Sequence, residues 1–583
     1  MQYFTGQGDD AFVEMLNQSY AHFTPTAEIP NLSMLIDSRR DTFTEGFFWH
    51  GWWIQNSYGF ALCAVPFLRE PFFTLLQNSL DLYWDRIGDG ARGGLAPGED
   101  FDGANGLWKL VAPDGCLGDC VTSAGSIAYK QGDGWEHHDW FYEASAAGVV
   151  MQAEILLRSR DVTAIQKYLP LMLRCCEFIE KTRDANGLFL VGPGCNLLAP
   201  SFGGAAGGEK SYLAGLTITY TAALQKLIEL CKLVGEDAVL LEKRLAKNQA
   251  SLPLLQTEEG YYVKSLEKDG TRHGVYGAEQ YGYFECVANV DAIALGVCDQ
   301  ETAEKIYAKI ASIEGLRPAH FLPTNYPGLD DTYKNYGGAD LGKHGFWCAG
   351  DWVNGGCWGT VEGRAVLAYL KLGRFEDAAA SVAAAWEWTR NYRMDAPWSQ
   401  WGVNTHNPWS DRKDQPEVSV MIDNFAIPAG FVRGVFDCEY AADTLTITPH
   451  LPKGLKFLAQ NVPIYWGEKA IYISVANGSR VTGLTVNGRT LGSYDNNTVC
   501  LEFDILDQVS LVCIGMDGQM PAPAVPLEDH RTLAQACADA LEQRKNTPFG
   551  ASNETLRPMT EAKARQIVEL YEQVSQIENR TNL

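Results

Sequence analysis

The 583-residue chain has no run of 18 apolar residues, so no transmembrane helix is expected. Its N-terminal stretch, MQYFTGQGDDAFVEML, has neither a basic n-region nor an apolar h-region, so no signal peptide is expected either. Positive charge is scarce: 47 Lys and Arg face 72 Asp and Glu, leaving a net charge of -25. Such a chain repels phosphate backbones and carries no compensating basic run, which excludes nucleic acid as the main ligand. The 15 cysteines follow no disulfide framework. They are odd in number and scattered through apolar stretches such as LCAV and LRCCEF, as expected of reduced thiols in a cytoplasm. Cys116 and Cys120 with His137 and His138 do not follow a standard zinc spacing, so no metal and no cofactor are expected.

What the chain does have is apolar residues, at 46%, and rings, with 16 Trp, 25 Tyr and 25 Phe. That is enough to bury a large core. Apolar residues recurring at i, i+3, i+4 and i+7 predict paired helices at 46–66 and 71–87, 138–158 and 162–182, and 211–233 and 236–249. Further pairs follow at 281–296 and 300–313 and at 360–373 and 375–391, then a helix over 423–437. A helix near 9–20 is the expected partner of that last one. Links inside each pair are short, as in αα-hairpins. Links between pairs are long (88–136, 183–210, 250–280, 314–359 and 392–422) and hold most of the Gly, Trp, Asp, Asn and His. Hairpins stacked in a ring would gather all of them at one end, where a site belongs.

After residue 440 the period changes to two. LTITPHLP, AIYISVANG, GLTVNGRTL and VSLVCIG predict a small antiparallel β-domain over 441–515, with Asn477-Gly478 and Asn487-Gly488 as two-residue hairpin turns. Residues 516–583 read as a Pro-rich linker and a charged helical tail, whose expected role is packing or a homo-oligomer contact. The barrel domain is expected to span 1–440.

Three stretches carry a resemblance: RRDTFTEGFFWHGWW (39–53), DWVNGGCWGTVEGRAVLAYLKLGRFEDA (351–378), and FVRGVF with LTITPHLPKGLKFLAQNVPIYWG (431–467). With the hairpin order, they resemble the six-hairpin (α/α)6-barrel glycoside hydrolases, a superfamily that includes glucoamylases, trehalases and α-L-rhamnosidases. The resemblance implies a mainly α fold, an (α/α)6 barrel followed by the β-domain and the helical tail. It implies a carbohydrate substrate and an exo-acting, inverting glycosidase with two carboxylates on different links. Inversion places those groups roughly 6.5–9.5 Å apart, with water between one of them and the sugar.

The stretch QGDGWEHHDWFYE (131–143) crowds acids, imidazoles and rings. Its GDGWEHHDW resembles the W-E stretch before an inner helix in glucoamylase-like enzymes, which points to Glu136 as general acid. Trp135 and Trp140 would shield it, and burial raises a carboxyl pKa. Asp139 competes for the role and equally suits a helix N-cap. Glu143, one turn into the helix, suits a buried hydrogen bond. His137 and His138 suit sugar hydroxyls. For the second carboxylate, relatives carry a Glu beside Trp in the last link, where this chain reads WSQW with Gln400. Asp351 and Asp395 are the leading candidates; Asp411, Asp41 and Glu45 remain.

Trp49, Trp53, Trp347, Trp352, Trp358, Trp398 and Trp401 are the expected stacking walls for pyranose faces, with core filling the alternative for each. Arg40, Asp41, His50, Asn354 and His406 are candidate hydroxyl ligands, and Arg40 with Asp41 equally suits a structural ion pair. The Gly-rich SFGGAAGGEK (201–210) lacks Walker spacing. Glu209, Lys210 and Tyr212 there are candidate sugar contacts, and the helix start behind them suits an anion. Three alternatives stand beside hydrolysis. They are a glycoside phosphorylase, an isomerase or lyase using His137, His138 or His406, and a non-catalytic sugar-binding protein, for which Gln400 speaks.

Overall fold

A computed structural model describes residues 2–24, 30–38, 40–46, 51–90, 113–118, 120–121, 127–128, 141–191, 210–280, 282–316, 321–328, 355–391, 421–527 and 532–546. The chain is mainly helical, with several small sheets. In order, the helices are α1 (Asp10–Ala21), α2 (Ile54–Ala64), α3 (Phe72–Trp84), α4 (Phe141–Ser159), α5 (Val162–Glu180), α6 (Ala214–Val234) and α7 (Val239–Ser251). Then come α8 (Cys286–Ala294), α9 (Gln300–Ser312), α10 (Gly359–Lys371), α11 (Phe375–Asn391), α12 (Ala426–Gly434) and α13 (Leu533–Asn546). The expected hairpin helices are therefore all present near their expected positions.

Two kinds of helix alternate. Every residue of α2, α8 and α12 is buried, and α10 is buried up to Leu370. A helix apolar and buried all round has neighbours on every side. In contrast, α5 buries Ile165, Tyr168, Leu169, Met172, Cys175, Cys176 and Ile179, and α9 buries Ala303, Ile306 and Ile310. That spacing is one stripe of an amphipathic helix. The N-caps agree. Asp9, Asp161 and Asp299 accept from Phe12, Ala164 and Thr302 N–H at 3.1, 3.0 and 2.8 Å, starting α1, α5 and α9. No side chain caps α2, α6 or α10; each follows extended backbone instead.

The buried helices pack in cyclic succession: α2 on α4, α4 on α6, α6 on α8, α8 on α10, α10 on α12, and α12 back on α2. The striped helices lie outside this cycle, with α1 against α12 as the expected partner. Glycine sets two of the closest crossings. A Cβ on Gly430 would lie 2.2 Å from the Gly363 carbonyl oxygen, and one on Gly59 would lie 2.1 Å from that of Thr360. Only glycine lets α10 approach α12 and α2 that closely.

Short ladders tie the long links together where they enter the buried helices. Trp52–Trp53 pairs with Cys120–Val121, Phe284–Glu285 with Asn325–Tyr326, and Gly46 bridges Met421. Ser211–Leu213 lies between Leu190–Val191 and Ser265–Glu267. The ladders define one end of the helix assembly, the mouth. The other end, the floor, meets the C-terminal sheet.

That sheet corrects three expectations. The chain's first strand, Phe4–Gln7, pairs with Phe457–Trp466, so the sheet draws on both ends of the helical region. The sheet is not wholly antiparallel, because Lys469–Ala476 and Val509–Met516 run parallel. The connection between them holds a separate hairpin, and so is long enough for the crossover that parallel strands require. Asn487-Gly488 is the expected turn, with φ of 49° and 78°, joining Val481–Val486 to Arg489–Leu491. Asn477-Gly478 is not a hairpin. The Asn477 side chain donates to the Pro452 and Leu455 carbonyls at 2.7 and 2.5 Å and redirects the chain. Helix α13 packs on Leu32–Leu35 of its own chain.

Candidate active site

At the mouth, two acids from distant parts of the chain are brought together. Glu45 closes the first link and Asp423 lies in the turn that starts α12. The Gly46–Met421 bridge joins their backbones, and Ile422 N–H donates to the Glu45 carbonyl at 2.8 Å. Against the same turn lies the start of α10, where a Cβ on Gly359 would meet the Asp423 carbonyl oxygen at 2.5 Å.

Both carboxyls are buried, Glu45 at 1% exposure and Asp423 at 0%. Glu45 Oε2 accepts from the Trp53 backbone N–H at 3.3 Å, while among the described residues Oε1 has no partner in close geometry and the Asn56 side chain acts on the carboxyl. Among the described residues no donor meets either Asp423 oxygen in close hydrogen-bond geometry, although the Asn424 and Gly359 N–H groups lie near enough to act on the carboxyl. Burial pushes Asp423 up to about 7, against the opposing pull of the Asn424 and Gly359 N–H groups. Burial, then the charge of Asp423, pushes Glu45 well above the usual carboxylate range. Both carboxyls are thus held above the usual carboxylate range, chiefly by burial.

Other buried acids near the inner helices are committed. Glu285 accepts from Ala288 N–H at 2.7 Å and caps α8. Glu362 accepts from Leu322 N–H at 2.8 Å and from Ser381 Oγ. Asp291 forms an ion pair with Arg364, at 2.5 Å from Nε, and the Arg364 guanidinium lies 4.8 Å from the Tyr58 ring centre. Among the described residues, no group of three metal-ligating side chains occurs.

Of the residues singled out from sequence, Trp53 is half-buried and contacts Glu45 through its N–H. Trp358 is buried in the core at the start of α10. Arg40 pairs with Asp37 at 3.8 Å, and the Asp41 carbonyl accepts from Asn78 of α3 at 2.8 Å, so both belong to a turn on an outer helix. The Tyr212 hydroxyl donates to Asp184 at 2.8 Å, and Lys210 is exposed beside it. Glu143 is buried on the first turn of α4. Outside the described residues lie Glu136, Asp139, Asp351, Asp395, Asp411, Trp49, His50, Trp135, His137, His138, Trp140, Glu209, Trp347, Trp352, Asn354, Trp398, Gln400, Trp401 and His406. Glu45 is one of the first-link candidates. Asp423 is new; its only sequence signal is an acid just ahead of a mostly apolar helix, AIPAGFVRG.

No family model matches the chain, and no curated protein matches it. Among solved structures, an uncharacterized conserved protein from Thermus thermophilus is similar at 14% identity and a TM-score of 0.44, over 72% of this chain and 99% of that one. A GH63 mannosylglycerate hydrolase from the same organism, in complex with glucose, is similar at 15% identity and 0.43, over 73% and 99%. A GH78 family rhamnosidase of Bacillus sp. GL1 is similar at 12% identity and 0.43, over 82% of this chain and 42% of that one. At such scores the likeness decides nothing about this chain, whose architecture rests on its own helix packing.

Proposed function

We propose that the chain is a carbohydrate-active enzyme, a glycoside hydrolase on an (α/α)6 barrel, exo-acting and inverting on an oligosaccharide or glycoconjugate. The observation that carries this reading is the cyclic packing of six buried helices, with the buried acids Glu45 and Asp423 at the end where the long links meet. In this mechanism one carboxyl protonates the leaving glycosidic oxygen. The second takes a proton from water, whose oxygen attacks the anomeric carbon from the opposite face. Glu136 is the proposed acid, with Asp139 its competitor, and Asp351 or Asp395 the proposed base.

The test is a screen of nitrophenyl glycosides and oligosaccharides, with the anomer of the first-formed product read by NMR. Water-dependent release with inversion is expected. Glu136→Gln is expected to bind substrate and not turn it over. A strict phosphate requirement, or a product formed without water, would replace hydrolysis with phosphorolysis or isomerisation.

A further inference from the structure

We propose that helix α13 is a strap that opens on its own, and that its docking holds the first link against the last at the mouth. Such a strap acts whatever ligand the mouth takes. The helix is locally specified. Thr532 and Gln535 form a capping box: the Thr532 hydroxyl accepts from Gln535 N–H at 3.2 Å, and the Gln535 side chain accepts from Thr532 N–H at 3.1 Å. Ala536, Cys537, Ala540 and Leu541 are buried, while Gln535, Asp539 and Glu542 are exposed. That spacing is one narrow apolar stripe.

What α13 packs on is the turn Leu32–Leu35, whose four residues are all buried. Leu32 N–H donates to the His22 carbonyl at 3.1 Å, and the Leu35 carbonyl accepts from Thr44 N–H at 2.8 Å. Thr44 precedes Glu45, whose carbonyl accepts from Ile422 N–H. The same turn also packs directly on Ile422–Phe425. The strap therefore covers the turn on which the seam between first and last links is built.

The attachment is slight. The chain reaches α13 through MPAPAVP (520–526), whose prolines offer no amide for hydrogen bonding. Asn461 anchors this segment to the sheet: its side-chain oxygen accepts from Val525 N–H at 3.0 Å and its carbonyl from Leu527 N–H at 2.8 Å. Ala524 is buried against Ala459 and Tyr472, whereas Val525 is 70% exposed. The buried stripe of α13 consists of two alanines, a cysteine and a leucine, whereas α2, α8 and α12 are buried along their whole length. A segment with few buried apolar contacts opens at a lower free energy than the core it rests on. When α13 lifts, the turn beneath it loses its cover and the Glu45–Ile422 seam loosens with it.

The experiment is amide hydrogen exchange of the full chain, read by mass spectrometry, on the wild type and on the double variant Ala540→Asp with Leu541→Asp. In the wild type, peptides from 532–546 are expected to exchange faster than those from α2 and α12. In the variant, two charges on the buried stripe are expected to undock the helix. Peptides covering 30–46 and 421–425 should then exchange at least about 10-fold faster, with α5, α9 and the C-terminal sheet unchanged. Wild-type exchange in 532–546 as slow as in α12 would overturn the proposal, because the helix would not open on its own. A variant in which 532–546 stays protected would overturn it too, because that stripe would not be the docking face. So would an undocked helix with unchanged exchange in 30–46 and 421–425, since the seam would not depend on it. Faster exchange throughout the chain would make α13 part of the cooperative core rather than a strap.

Discussion

The mouth and the floor of the helix assembly both bury charge, and they treat it in opposite ways. At the floor, Glu154 of α4 meets Lys226 of α6 at 2.7 Å and Arg433 of α12 at 3.4 Å. Arg433 also donates to the carbonyls of Leu62 and Cys438, and Asp437 meets Lys371 at 2.8 Å and His450 at 3.6 Å. Burial alone would raise Glu154 and Asp437, but the cations beside them outweigh it and hold both below the usual carboxylate range. At the mouth no described cation faces Glu45 or Asp423, and both move up. Compensated charge holds elements together. Uncompensated buried charge costs stability, and proteins keep it mainly where it serves a ligand or a reaction. Burial is nearly equal at the two ends, so pairing is what separates a structural cluster from a candidate site.

The largest effect is expected from breaking the floor. Glu154→Ala leaves buried Arg433 and Lys226 sharing only the part-exposed Glu439, at 3.5 and 3.9 Å, and should destabilise the fold by up to about 3–5 kcal/mol, read as a fall in the denaturation midpoint. The mouth should respond with the other sign. Asp423 has a folded pKa of about 7, above its unfolded value, so the folded state binds the extra proton and loses stability as pH rises from about 4 to 7. Asp423→Asn should therefore stabilise by roughly 2–4 kcal/mol at pH 8 and by little at pH 4, measured by melting at both. Asp437, held low, has the reverse dependence: its contribution is present above the unfolded carboxylate pKa and lost as pH falls. A change at a helix crossing that removes no charge sharpens the contrast. Gly430→Ala forces a methyl onto the Gly363 carbonyl and should cost about 1–3 kcal/mol at every pH. The smallest effect tests whether burial matters. Lys305→Ala removes an exposed ion pair with Glu301 and should change stability by less than about 1 kcal/mol.

The hairpins were legible because each outer helix must keep one face wet. Ile165, Tyr168, Leu169 and Met172 show that stripe in the bare sequence, as do Ala303, Ile306 and Ile310. The inner helices were legible as apolar segments of the right length between long polar links. The candidate site was only partly legible. Glu45 drew attention through its Trp-rich stretch, while Asp423 sits in MIDNFAIP, where no aromatic crowd or motif marks it. Tyr212 and Arg40, singled out as ligand types, bond Asp184 and pair with Asp37, contacts that no local pattern announces. Asn477-Gly478 and Asn487-Gly488 are the same dipeptide with different outcomes, because contacts from Pro452 and Leu455 act only on the first.

Local order therefore followed from the sequence alone: helix positions, the Asp caps, the period-two strands and the Asn487-Gly488 turn. Each depends on residues a few positions apart, and short-range sterics and apolar periodicity are written there directly. Tertiary structure decided the rest. Cyclic packing of the inner helices brings the first link against the last and sets Glu45 beside Asp423. The same packing gives Glu154 its Lys226 and Arg433. Whether a buried acid is paired depends on neighbours hundreds of residues away, and no local pattern carries that information.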